Sequence, residues 1–162
     1  MGKVSGIVCA TVILAMGSVI TPAVAAVDGP FGVFDGSWTG SGTVTVKDGT
    51  RERLRCKARY QISAGGTALR QDLTCASDSY KFNVLSDIVA QGGTLSGTWT
   101  ELTRNVSGQV TGRIDPKQIS AVVDGVGFTA GVGIASRGAR QSVQIRPTGT
   151  DITDVSVTMS KQ

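Results

Sequence analysis

Five basic side chains recur at every second position, Arg51, Arg53, Arg55, Lys57 and Arg59. Alternate residues of an extended chain point to the same side, so all five share one sheet face about 6.5 Å apart. Such a row can meet phosphate, anionic lipid headgroups or acidic polysaccharide, as an anionic envelope component or protein partner would offer. The plainer reading carries more weight: a solvated outer face partly neutralised by Asp72 and Asp78 across the strands. No nucleic-acid partner is expected, because no aromatic side chains interleave with the cations.

The aromatic residues Trp38, Tyr60, Phe82, Trp99 and Phe128 fall on the apolar parity of their segments, together with Gly40, Gly42, Gly97, Gly108 and Gly112. Glycine there relieves crowding at a bend or leaves space beside a flat ring. These aromatics are therefore the candidate lining of an apolar pocket for a small ligand. The competing reading, that they simply fill the interior, is the weightier of the two.

Catalytic readings are poorer. The chain has no histidine, which removes Ser-His-Asp and Cys-His chemistry, most metal sites and the commonest neutral-pH base. It contains no Ser-x-x-Lys, Gly-x-Ser-x-Gly or phosphate-loop spacing. Glu52 and Glu101 share the inner parity, and a buried carboxylate with a raised pKa can serve as an acid. The sequence therefore predicts a protein that is not an enzyme, with no cofactor and no metal.

Two segments set the compartment. Lys3, an apolar run from Val4 to Ile20, Pro22 and Ala23-Val24-Ala25-Ala26 form a secretory signal peptide pattern, with residues 1–25 removed. Cys9 would leave with it, and no later segment reaches membrane-spanning length. The mature chain keeps Cys56 and Cys75, and an even pair in an oxidising compartment reads as a disulfide. A periplasmic or secreted protein is expected, its oligomeric state open.

The elements that must hold these residues alternate with period two. Leu54, Cys56, Ala58, Tyr60 and Ile62 oppose the basic row, Val106, Val110 and Ile114 oppose Ser107, Gln109 and Arg113, and Val155, Val157 and Met159 oppose Asp154, Ser156 and Thr158. One wet and one apolar face predicts antiparallel sheet with a single buried side. Turn signals at Lys47-Asp48-Gly49, Gly65-Gly66, Ser77-Asp78-Ser79, Gly92-Gly93, Asp115-Pro116, Arg137-Gly138 and Thr148-Gly149 divide the chain into about eight to ten strands. Connections this short allow hairpins only, so the fold class is all-β, an up-and-down barrel or curled sandwich. Residues 26–34 form a short N-terminal extension and 35–162 a single domain.

A two-residue turn at Gly65-Gly66 would set Cys56 opposite Cys75, Ala58 opposite Leu73, and Ile62 opposite Leu69. It would also pair Arg59 with Asp72 and Arg53 with Asp78 outside. That count leaves the cysteines on a wide, hydrogen-bonded pair, still within disulfide reach.

The Gly36-Ser37-Trp38 opening resembles the calycin group of β-barrels, lipocalins among them, where a Gly-x-Trp marks the first strand. That resemblance implies a barrel holding small apolar molecules, with Arg146 packing over the tryptophan. Asp48-Gly49-Thr50-Arg51-Glu52-Arg53, Cys75-Ala76-Ser77-Asp78-Ser79-Tyr80 and Arg104-Asn105-Val106-Ser107-Gly108 look like segments of small exported alphaproteobacterial proteins. This second resemblance implies compartment and fold, not chemistry.

Overall fold

In the computed structural model, which describes residues 1–2 and 28–162, the alternating segments form ten antiparallel strands. They are β1 (Gly36–Val46), β2 (Arg51–Ser63), β3 (Ala68–Ala76), β4 (Lys81–Gln91), β5 (Thr94–Glu101), β6 (Val106–Asp115), β7 (Gln118–Gly125), β8 (Phe128–Arg137), β9 (Arg140–Thr148) and β10 (Ile152–Lys161). Each strand pairs with the next in sequence, and β10 returns to pair with β1, closing the barrel. Closure leaves no unpaired edge, which is what a chain of hairpins without covering helices needs. The signal peptide pattern lies outside the described residues, and among the described residues no helix is long and apolar enough to cross a membrane.

Burial follows the parity. On β2, Leu54, Cys56, Ala58 and Tyr60 are buried while Arg51, Arg53, Arg55, Lys57 and Arg59 are exposed. On β6, Val110 and Ile114 are buried, and Gln109 and Thr111 face water.

The β2–β3 hairpin has the register that the sequence implies: Cys56 opposite Cys75, Ala58 opposite Leu73, Arg59 opposite Asp72, and Ile62 opposite Leu69. The loop is longer than two residues, however. Ala64, Gly65 and Gly66 all have positive φ, and the ladder opens with Ser63 opposite Ala68. Adding one residue on each side keeps the register but exchanges the two kinds of pair. The cysteines accordingly form a narrow pair, 4.1 Å between Cα atoms, and are joined by a disulfide. The second outer pairing does not form, because β3 ends at Ala76 and Asp78 lies in the following turn.

The bridge spans 19 positions of sequence. Closing a loop of that size restricts the unfolded chain by about 3 kcal/mol. The Cys56→Ser, Cys75→Ser double variant should lose stability of that order in urea titrations. Alkylation of the native protein without reductant should add no mass. A gain of two alkyl groups would show free thiols and remove the bridge.

One end of the barrel is sealed by the chain ahead of β1. A turn of 3-10 helix over Gly32–Phe34 places both Phe31 and Phe34 at 0% exposure. The Phe31 N–H donates to the carbonyl of Gly66 at 3.1 Å, fastening this segment to the β2–β3 loop. Trp38, also at 0%, donates its Nε1–H to the Phe34 carbonyl at 2.8 Å. The aromatic plug and the first strand thus brace each other through a buried hydrogen bond. A contiguous core extends from this plug through Val44, Leu54, Leu95, Ile114, Val157 and Met159.

Candidate functional site

The five aromatic candidates divide between the two ends of the barrel. Trp38 and Tyr60 belong to the sealed end. The Tyr60 hydroxyl donates to Gln141 Oε1 at 3.1 Å, and its ring lies 6.4 Å from that of Phe34. Burial pushes the Tyr60 phenol above its usual range, with the Gln141 bond only partly opposing, so it remains protonated. Ser136 sits opposite Gln141 across β8 and β9. Among the described residues, Ser136 Oγ and Gln141 Nε2 are buried with no hydrogen-bond partner. The cation above Trp38 is Lys161, with Nζ 5.7 Å from the ring centroid. Arg146, assigned that place by the lipocalin resemblance, is exposed on the outer parity of β9. Antiparallel return of β10 beside β1 puts Lys161 directly opposite Trp38, which settles the exchange.

Phe82 and Phe128 stand at the other end, the mouth, and Trp99, set further in on β5, meets Phe128 from inside. A row of registered pairs carries Trp99 on β5 opposite Gly108 on β6, Gly108 opposite Gly125 on β7, and Gly125 opposite Phe128 on β8. The two glycines leave the floor on which the indole lies. A Cβ at Gly108 would stand 2.8 Å from Trp99 Nε1, and one at Gly125 2.9 Å from Trp99 Cζ2. Trp99 donates Nε1–H to the Asp124 carbonyl at 2.9 Å and meets Phe128 edge to face, centroids 5.4 Å apart. Trp99, Val110 and Ala130 are buried, yet they fall outside the contiguous core that grows from the plug. Phe128 is half-buried at the entrance.

On the neighbouring wall, the Phe82 ring stacks on Tyr80 at 6.2 Å and carries the Arg104 guanidinium 5.5 Å above it. Arg104 donates to the carbonyl of Lys81 and lies 3.5 Å from Glu101 Oε2. Half-buried aromatic rings here stand beside one partly exposed arginine, a pairing of apolar surface and cation that suits an amphiphile.

The two carboxylates singled out as possible acids are occupied in turns. Glu101 accepts backbone N–H bonds from Asn83 at 2.9 Å, Thr103 at 3.2 Å and Arg104 at 2.7 Å. Burial raises its pKa, but these bonds, Asn83 first, outweigh it and hold the group below the ordinary 4.5. Glu52 Oε2 accepts from Ser77 Oγ at 2.7 Å and Ser79 N–H at 3.0 Å, and the Ser79 and Ser77 bonds keep its pKa low too. A carboxylate stabilised as the anion is the opposite of a poised general acid. The inner parity of Glu52 and Glu101 reflects strand ends where loop N–H groups turn inward.

A pH consequence follows for Glu101. Its folded-state pKa is depressed, so its contribution to stability is complete above the unfolded value and fades as pH falls through the folded one. Glu101→Gln is expected to lower Tm at pH 7, with the gap from the parent narrowing at about pH 3–4. Thermal melts across pH 3–7 would show it, and a gap constant with pH would mean that the charge is irrelevant.

The basic row lies where its parity places it, exposed along the outside of β2 and remote in orientation from the inward aromatics. A feature without a sequence forecast is a shallow groove of about 440 Å3 on the outer wall of β6–β9. It exists because Gly131 and Gly133 present no side chain between Val122 and Arg146; their outward positions were the available signal.

No family model and no curated protein matches the chain. Among solved structures, it is similar to the S-type phycobiliprotein lyase CPES from Guillardia theta, with a TM-score of 0.61 and 11% identity. The match covers 82% of this chain and 90% of that one. At this identity the likeness shows the fold, an antiparallel barrel in keeping with the calycin resemblance of Gly36-Ser37-Trp38. It also corrects the expectation of a protein that is not an enzyme. A barrel of this shape is carried by a protein named as a lyase, so lack of histidine and of a catalytic motif does not exclude activity.

Proposed function

We propose that the chain is an exported barrel protein that takes a small apolar or amphiphilic ligand at its mouth. Trp99 and Phe128 form one wall of the site, and Phe82 with Arg104 forms the other. The observation that carries this reading is the division of the interior. One core runs from the plug to Val44, Leu54 and Val155 near the far strand ends, with Phe82 packed against it, whereas Trp99, Val110 and Ala130 are buried without joining it, beside the half-buried Phe128. Phe82 and Phe128 keep part of their ring surface open, and a guest that covered it would lower the free energy by about 25 cal/mol per Å2. The guanidinium at Phe82 supports a ligand with a polar or anionic group at one end. Export rests on the signal peptide pattern and agrees with the Cys56–Cys75 bridge.

Native mass spectrometry of protein recovered from the periplasm tests the reading. It should reveal a co-purifying small molecule, and a Trp99→Ala variant should be recovered without it. A naphthalene sulfonate probe should bind the delipidated protein, shift the emission of Trp99 and leave that of Trp38 unaltered. An empty spectrum, together with probe binding unaffected by Trp99→Ala, would overturn the assignment.

A further inference from the structure

The outer wall formed by β2, β1 and β10 has a composition unrelated to the lumen. Arg51, Arg53, Arg55, Lys57 and Arg59 are all exposed. Among the described residues none of them forms an ion pair; the three pairs present are Lys47–Asp151, Arg70–Asp87 and Arg104–Glu101. Asp72 is opposite Arg59 in register without reaching it as a salt bridge, and Asp154 at the far edge is engaged by the Gln144 amide. Five like charges on one strand repel one another through water, and Asp72 opposite Arg59 offsets this only at one end of the row.

Beside the cations lies a bed of hydroxyls. Across the sheet, Arg53 is followed by Thr43 and Ser156, Arg55 by Ser41 and Thr158, and Lys57 by Thr39 and Ser160. No aliphatic or aromatic side chain points outward from β1 between Ser37 and Thr45, or from β2 between Arg51 and Arg59. That composition decides among polyanions. Single-stranded nucleic acid needs rings for its bases to stack on, and an anionic bilayer holds a protein best where apolar side chains also enter it. A sugar polymer needs donors and acceptors for its hydroxyls and cations for its acidic groups, and this wall offers both in parallel lines.

We infer that the β2–β1–β10 wall binds a linear acidic polysaccharide, with the five cations of β2 on its carboxylate groups and the hydroxyls of β1 and β10 on its sugar hydroxyls. The inference stands independently of what occupies the lumen. It would hold the barrel against an anionic envelope polymer while the mouth remained free.

The test uses immobilised polygalacturonate as probe. The parent protein should be retained at low salt and released as sodium chloride is raised. Arg53→Ser, Arg55→Ser and Arg59→Ser together should weaken binding at least tenfold with the melting temperature unchanged, because all three side chains are exposed. A charge-matched variant with Lys81→Ser, Lys117→Ser and Arg137→Ser should retain parental binding. Equal loss in both variants would reduce the effect to net charge and overturn the inference, as would retention unaffected by the β2 substitutions. Tighter binding to phosphatidylglycerol vesicles or to an oligothymidylate than to the polyuronate would refute the assigned partner.

Discussion

Replacing Phe34 with alanine is expected to lower the unfolding free energy by about 3–5 kcal/mol, the range for a phenylalanine removed from a packed core. The side chain has no exposed surface, although it comes from a single helical turn outside the sheet. Its ring lies against Tyr60, and its carbonyl receives the indole N–H of Trp38. The substitution leaves that carbonyl in place, so the loss comes from the cavity alone unless the turn lifts away. If it does lift, Trp38 also loses its hydrogen-bond acceptor and the barrel opens at its sealed end. Near-ultraviolet circular dichroism separates the two outcomes, since a released Trp38 loses its fixed environment. Urea titration with unchanged slope and a lower midpoint would report the stability change. A loss below about 1 kcal/mol would show that the segment ahead of β1 is not part of the core.

That segment shows where the sequence stopped being informative. Phe31 and Phe34 stand three apart after Asp28-Gly29-Pro30, the spacing of one face of a helical turn. Period-two reading has no place for such a pair, so the stretch read as a bare extension. Two connections were missed for a related reason. The turn at Val126-Gly127 is marked by glycine alone. The turn at 102–105 has neither glycine nor proline; Asn105, at φ 54°, takes the left-handed position instead. The β2–β3 register was legible because a disulfide, an apolar face and a charge pair all imposed one sum. Loop length was not, since opening the hairpin by one residue on each side leaves that sum unchanged.

The aromatic candidates were found by parity, and parity fixes a face but not a height. Trp38 is near the start of β1 and Trp99 near the end of β5, and both strands run away from the plug. The similar tetrapeptides Gly36-Ser37-Trp38-Thr39 and Gly97-Thr98-Trp99-Thr100 therefore stand at opposite ends of their own strands, yet one registered row, Gly36–Tyr60–Gln71–Ser86–Trp99, joins the two segments. Only the closed stagger of all ten strands decides that, and no local window contains it. The partners of Glu52 and Glu101 were hidden because parity says nothing of loops. Glu52 meets Ser77 and Ser79 in the turn after β3, and Glu101 meets Asn83 on β4 and the N–H groups of Thr103 and Arg104 in the turn after β5.

Gly108→Ala is expected to be among the most damaging single-methyl additions in the protein, whereas Gly133→Ala should be neutral or slightly stabilising. An alanine Cβ at 108 would collide with the Asp124 carbonyl oxygen and stand 2.8 Å from Trp99 Nε1. The oxygen belongs to β7 backbone and is the acceptor of the Trp99 N–H, so relief requires separating β6 from β7 and breaking that bond. Overpacking of this kind costs about 1–3 kcal/mol and more where backbone must move. At Gly133 nothing lies within 4 Å of the added carbon. There the substitution removes glycine's freedom in the unfolded chain, worth about 0.5–1 kcal/mol in favour of alanine. The two variants share chemistry and strand context, so the contrast isolates the close approach at the mouth. If the ligand lies against Trp99, Gly108→Ala should also weaken probe binding at temperatures where the barrel is still folded. Gly133→Ala, on the outer parity of β8, should leave it unaltered. Equal stability of the two variants would mean that β6 and β7 are not drawn together at Gly108, and the floor assigned to the indole would be lost with that contact.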